Sequence, residues 1–410
     1  MTNPRFTFFS LTAAAVLVVI ASQSGTATAQ TGSATGAATM AAGTMASGTM
    51  AATDAGAATA APTSSIVLTA VATMAPNSDG SLPQLHIYNY TTYIANDTIS
   101  NFEKLYHVKV TYDTYDTSDV MLTKIQAGNP GYDIIVPPDY DIPILAHANL
   151  LQKLDITKLP NFTKYASQRF QNPGYDPNNQ YSVPYQWGTL GIGYNPAVLK
   201  NPTSWADLFN PALKGRVELL NSPRETIAIM LQFLGKDANS TNQADLDVVK
   251  AFLIKNKAVI SRFHDSDGQF DLAKGQADGI MDWSGDMFQV IGDPANAKAN
   301  LQYIIPKEGT VLWTDNMTIP AGAKNYDLAL KFINYIYDPQ VGASISNYTG
   351  YGSPNQGAID QNMIDPAAIA NPQIYPPASV NAKLVILKDI GDAQALYDQE
   401  WADIKAAISQ

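Results

Sequence analysis

There is no cysteine in the 410 residues. Disulfides are therefore excluded, as are thiolate metal sites and a lipid-bearing N-terminal cysteine. Histidine is scarce too. His86, His107, His147 and His264 show none of the pairings that zinc sites use. No nucleophile elbow or Ser/His/Asp set is present. "GTLGIGYN" holds a Gly-x-Gly but no phosphate-binding fingerprint. "HDSDGQFDLAKGQ" looks like a calcium loop, but Gly268 follows Asp265 too closely. Gln276 stands where a bidentate glutamate belongs. No metal or cofactor is expected. Positive charge is the other shortage: 25 Lys and Arg against 36 Asp and Glu, a net charge of −11. Phosphates would be repelled, which argues against nucleic-acid binding.

The first 82 residues are nearly free of charge, holding only Arg5, Asp54 and Asp79. Residues 1–29 read as a secretory signal: Arg5, an apolar stretch to about Ala21, and the small residues "ATA" before Gln30. The apolar stretch is short for a membrane span, although an uncleaved anchor is the alternative. Residues 30–82, with "ATMAAGTMASGTMAA", lack the large apolar side chains needed to offset ordering entropy. They read as a linker.

From Pro83 onward, short apolar runs alternate with helical patterns. "LHIYN" reads as a strand, and the stretch from Ile94 has helical spacing. "KVTYDTY" is a second strand. "SDVMLTKIQAG" is a helix opened by a Ser cap, and "YDIIVPP" is a buried strand closed by prolines. This βαβα order predicts an α/β fold with a largely parallel sheet covered on both faces. Ligands on such sheets sit beyond the strand carboxyl ends. "PYQWGTLGIGYNP" breaks the pattern. Its glycines suit either a crossover between domains or a bulged strand.

What stands out is aromatic rings beside acids. "MDWSGD" holds Trp283 and Asp286, and "LWTDNM" holds Trp313 and Asp315. A carboxylate attracts a cation by charge, and an indole face attracts it through its quadrupole. Either these are cation-binding pairs, or the tryptophans are core and the acids solvated.

Taken in order, "YNYTTY", "YDIIVPPDY", "YSVPYQWGTLGIGYN", "SWADLFNPALKGRV", "WTDNMTIPAGAKN" and "GYGSPN" resemble the substrate-binding proteins of polyamine ABC transporters, the spermidine/putrescine-binding family. The resemblance runs from about Leu85 to Ile408. It implies a two-lobed periplasmic-binding fold of type II, each lobe a mixed sheet flanked by helices, joined by a hinge. Residues 83–188 plus 315–380 would form one lobe, and 189–314 plus 381–410 the other. The implied ligand residues are Tyr90, Thr91 and Tyr93; Asp139 and Tyr140; Glu225; Trp283 and Asp286; Trp313 and Asp315; and Tyr351. The sequence departs from the pattern at Thr92, where the family has an acid, and Asp139 is a candidate to supply that charge. The resemblance also departs at Ser222, where spermidine binders carry an aspartate, and at Leu387, where some of them use a glutamine.

The implied function is an extracytoplasmic receptor, periplasmic or tethered. It would carry putrescine or spermidine to an ABC permease as a monomer and perform no covalent chemistry. The rivals are a receptor for a quaternary amine, a sugar or ferric iron, an exported hydrolase, and a sensory module. Iron capture favours adjacent tyrosines, and no such pair occurs.

Overall fold

A computed structural model describes residues 73–409. The expected signal over 1–29 and most of the tract 30–82 lie outside the described residues. Among the described residues no helix is long and apolar enough to cross a membrane.

Ten strands are described, β1 Gln84–Tyr90, β2 Lys109–Tyr115, β3 Ile134–Ile135, β4 Ser182–Tyr194, β5 Val217–Leu220, β6 Ile260–His264, β7 Gly279–Trp283, β8 Gln302–Ile304, β9 Thr310–Thr318 and β10 Leu384–Val385. They make two mixed half-sheets. In the first, β1 lies parallel to β2 and β3, and β3 meets β9 antiparallel. In the second, β5 lies parallel to β6 and β7. Two long strands join the halves. β4 pairs antiparallel with β9 from Ser182 to Thr189, then with β7 from Leu190 to Tyr194. The molecule is therefore two-lobed, and its lobes are connected by strands that pass from one sheet into the next.

β1 shows why the first half-sheet is an interior layer. Leu85 and Ile87 join the main core on one face, while Tyr88 joins a second cluster with Tyr115, Met121 and Ile125 on the other. A strand buried on both faces needs helices on both. β4 is buried along its whole length. Its glycines answer a need for space more than for unusual backbone angles. A Cβ on Gly191 would lie 2.4 Å from the Ile304 carbonyl oxygen, and one on Gly193 would lie 2.4 Å from Met287 Sδ. The strand also carries a register shift between Pro184 and Gln186, so crossover and bulge occur in the same element.

Two serines at the start of helical runs behave differently. Ser204 caps the short turn Trp205–Phe209, with Asp207 completing a capping box. Ser118 does not cap its helix. It is the first helical residue of Ser118–Gln126, and its hydroxyl lies 3.2 Å from the Tyr140 hydroxyl. That contact across the first lobe takes the side chain away from the helix end. The C-terminal helix Gln394–Ile408 docks on the second half. There Tyr397 donates to the Ser240 carbonyl at 2.8 Å, and Lys250 pairs with Glu400 at 2.8 Å.

Candidate functional site

The carboxyl ends of β1, β2 and β3 face those of β5, β6 and β7 across a cavity of about 550 Å³, including its mouth. Each strand hands a short turn into it. Tyr90 ends β1 with Thr91 and Tyr93 just after it, Tyr140 follows β3, Glu225 follows β5, and Trp283 ends β7 with Asp286 just after it. Trp313 and Asp315 project from the crossing strand β9, and Tyr351 follows the helix Pro339–Thr349. Every side chain expected at a ligand site lines this cavity except Asp139. Asp139 is buried, and its carboxylate accepts the backbone N–H of Tyr140 at 2.9 Å.

The walls are aromatic and mutually braced. Tyr93 stands edge-on to Tyr90, Tyr185 and Tyr351, and Tyr351 stands edge-on to Trp313 with centroids 5.1 Å apart. Such arrangements match the ring quadrupoles and hold each face in place. Three acids are set into these walls by aromatic donors. Tyr93 donates to Asp315 Oδ2 at 2.8 Å, Tyr351 donates to Asp286 Oδ1 at 2.9 Å, and Trp283 Nε1 donates to Glu225 Oε1 at 3.3 Å.

None of these acids forms an ion pair, although the charge of Arg224 attracts Glu225 from a distance. The ion pairs among the described residues all engage other carboxylates. Arg224, next in sequence to Glu225, turns away. It donates to the carbonyls of Ala238 and Lys388 and covers the Tyr397 ring. Glu225, Asp286 and Asp315 are each at most 6% exposed. Burial raises all three pKa values. Glu225 and Asp286 are each pushed up to about 7, against hydrogen bonds from Trp283 and Tyr351 that favour the charged form. Asp315 is also raised; there the Tyr93 bond opposes burial while Asp139 and Glu225 add repulsion. Buried carboxylates without a partner are costly. A site that keeps three of them is suited to a cation that arrives from outside.

The lobes also touch across the cavity mouth. Asp116 Oδ1 accepts from Thr91 Oγ1 at 2.8 Å within the first lobe and from Ser266 Oγ at 3.2 Å in the second. Sequence reasoning missed Asp116, Thr117 and Ser118 in the lining. The signal was available, because they follow β2 at its carboxyl end. Thr92 does not line the main cavity. It holds a left-handed φ of 59° and borders a neighbouring depression that also reaches Asp286. In the segment that looks like a calcium loop, Asp267 pairs with Arg262 and Asp265 accepts from Asn221.

Gly285 sets the position of Tyr351. A Cβ there would lie 2.4 Å from Tyr351 Cδ2 and Cε2, so the ring and its bond to Asp286 would have to move. Gly285→Ala is expected to cost about 1–3 kcal/mol by overpacking, read from chemical denaturation. An unchanged midpoint would mean that the ring is free to yield.

The family model for bacterial extracellular solute-binding proteins matches residues 97–376. A putrescine-binding periplasmic protein of Escherichia coli is 38% identical over 320 residues, covering 74% of this chain and 86% of that protein. A putrescine-binding periplasmic protein of Pseudomonas aeruginosa is 33% identical over 352 residues, covering 82% of this chain and 95% of that protein. Among solved structures, the substrate-binding protein of a spermidine/putrescine ABC transporter from Streptococcus pneumoniae aligns with a TM-score of 0.68 at 29% identity. That alignment covers 80% of this chain and 99% of the other.

Proposed function

The chain belongs to the bacterial extracellular solute-binding proteins, and from that premise we propose that it is a polyamine receptor. It binds putrescine or spermidine between its lobes outside the cytoplasm and delivers it to an ABC permease, without chemical change to the ligand. One observation carries the reading: Glu225, Asp286 and Asp315 are buried in one aromatic cavity with no cationic side chain paired to them.

A polyamine is the complement of that arrangement. Its ammonium groups donate charge-assisted hydrogen bonds to the acids, each stronger than a neutral bond. Its methylenes lie along the rings of Tyr90, Trp283, Trp313 and Tyr351. Cation–π attraction adds about 0.5–2 kcal/mol per ring, and a micromolar complex needs about 8 kcal/mol in total. The acids fall into two groups, as the two ends of a diamine require. Glu225 repels Asp315, while Asp286 repels the buried Asp282. A sugar would leave the charges unmatched. A quaternary amine has no N–H to offer the carboxylates. Ferric iron would want phenolates, but burial and nearby acids raise the pKa of Tyr93 and Tyr351. Closure about β4 and β9 would bring the two sets of side chains onto one ligand, with Asp116 and Ser266 meeting at the rim.

The test is a thermal and calorimetric titration of residues 73–410 with putrescine and spermidine. Ligand at about 100 times its dissociation constant should stabilise the protein by about 2.7 kcal/mol. No shift with either amine at millimolar concentration would remove the polyamine reading.

A further inference from the structure

The turn after β6, residues 264–268, resembles a calcium loop but commits its acids to the protein. Asp265 accepts from Asn221 at 2.9 Å, and Asp267 pairs with Arg262 at 3.1 Å. The Ser266 carbonyl accepts from Gln269 Nε2 at 3.0 Å. Beneath the turn lies His264, which is fully buried. Its Nδ1 is 3.0 Å from the Asp265 carbonyl oxygen, and its Nε2 is 2.9 Å from the Met281 carbonyl oxygen of β7. A Cβ on Gly268 would lie 2.6 Å from that ring, so the turn sits directly on it. Its backbone is thus fixed to the second lobe at both ends and from below. The Ser266 hydroxyl is the group that reaches away from it.

Across the cavity mouth stands Asp116, the first residue after β2. Its Oδ1 is already oriented within the first lobe by Thr91 Oγ1 at 2.8 Å, and the Thr91 backbone N–H donates to the Tyr115 carbonyl at 3.1 Å. Ser266 Oγ donates to the same Oδ1 at 3.2 Å and lies 3.4 Å from the Asp116 carbonyl oxygen. Among the described residues Asp116 forms no ion pair, so no cation competes for this carboxylate. A hydroxyl donating to a carboxylate makes a charge-assisted bond. Two partners that are each held in place beforehand lose little freedom when they meet. They come from opposite lobes, so their bond exists only while the lobes are together. It therefore opposes opening and has no part in the first encounter with a ligand.

We propose that the turn 265–268 and Asp116 form a latch that sets how long the closed protein keeps its ligand. The proposal rests on the reading that the lobes close over an amine, and it adds what governs release. Asp116 and Ser266 are positioning residues in it. They hold the two walls together while Glu225, Asp286 and Asp315 meet the ligand.

The experiment measures association and release of putrescine and spermidine by stopped-flow, followed by tryptophan fluorescence. Ser266→Ala removes the hydroxyl and leaves every charge in place. It should speed release of both amines by about fivefold or more, with association rates kept within about twofold. Asp116→Ala should also speed release. The double variant should then release no faster than Asp116→Ala alone, because one bond can be lost only once. Unchanged release in Ser266→Ala, effects that multiply in the double variant, or an effect on one amine alone would overturn the latch. A second arm needs no ligand. The chain has no cysteine, so Asp116→Cys combined with Ser266→Cys reports the contact by itself. Oxidation should join the two lobes by an intramolecular disulfide, and its failure to form would also overturn the latch. A wild type that binds neither amine would overturn the polyamine reading, and the cysteine pair would still decide the latch.

Discussion

Asp315→Asn is expected to lose affinity for putrescine and spermidine by about thirtyfold or more, while the ligand-free protein becomes no less stable. The two halves of this expectation share one cause. Asp315 is buried on the crossing strand β9, 6% exposed, and holds only the Tyr93 hydroxyl as a side-chain partner. Burial and repulsion from Asp139, Glu225 and Asp141 raise its pKa, so its charge is a burden to the empty site. Asparagine keeps the volume and can still accept from Tyr93, and it removes that burden. The bound ammonium, however, loses a buried charge-assisted partner, a loss of about 2–5 kcal/mol. Thirtyfold corresponds to about 2 kcal/mol. Thr92→Ala is the control. Thr92 lies outside the main cavity, so its replacement should cost far less. Titration of both variants against wild type at fixed ionic strength decides the matter. If Asp315→Asn binds as wild type does, this carboxylate does not meet the ligand.

The crossing strands show what a sequence can and cannot disclose. β2 was legible because local chemistry determines it, through the alternation in "KVTYDTY". Trp283 and Asp286 were legible as a ring beside an acid, and the structure adds that they stand at the carboxyl end of β7. The acids of "PPDYD" were not separable in this way. After two prolines no periodicity remains to say which side chain faces where. Asp139 bonds to the adjacent Tyr140 N–H, whereas Asp141, two residues on, lines a separate groove. The glycines of β4 were visible, but not their reason. Gly188 is pressed by the Trp313 ring, 2.7 Å from a notional Cβ, and Gly191 by Ile304. Both contacts come from more than a hundred residues away. Ser118 failed as a cap because it lies one position inside the helix, with its hydroxyl 3.2 Å from that of Tyr140.

Acidity should have the second large effect, with opposite signs for binding and for stability. In the ligand-free protein, burial raises Glu225 from 4.5 to about 7 and Asp286 from 3.8 to about 7. The folded state then holds protons that the unfolded chain has released. Stability of the ligand-free protein should therefore fall as pH rises from about 4 to 7, and fall further as Asp139, which burial raises to about 8, loses its proton. Binding runs the other way. Alkylammonium groups stay charged well above pH 8, as lysine does with a pKa of about 10.4, and they favour the ionised acids. Affinity should rise with pH from about 5.5 to 8, with proton release on binding near neutrality. The slope can reach about tenfold per pH unit for each acid that must lose its proton. Calorimetry in two buffers of different ionisation enthalpy would count the protons, and thermal unfolding across the same range would follow the empty protein. The hydrogen bonds from Tyr351 and Trp283 limit how far the acids are raised. Tyr351→Phe should therefore move the lower edge of the binding profile toward higher pH by removing the donor to Asp286. Affinity that stays flat from pH 5.5 to 8, with no proton released, would show that these acids are already ionised in the empty cavity. The burial that sets their strength as cation partners would then have to be less complete than their 5% and 6% exposure implies.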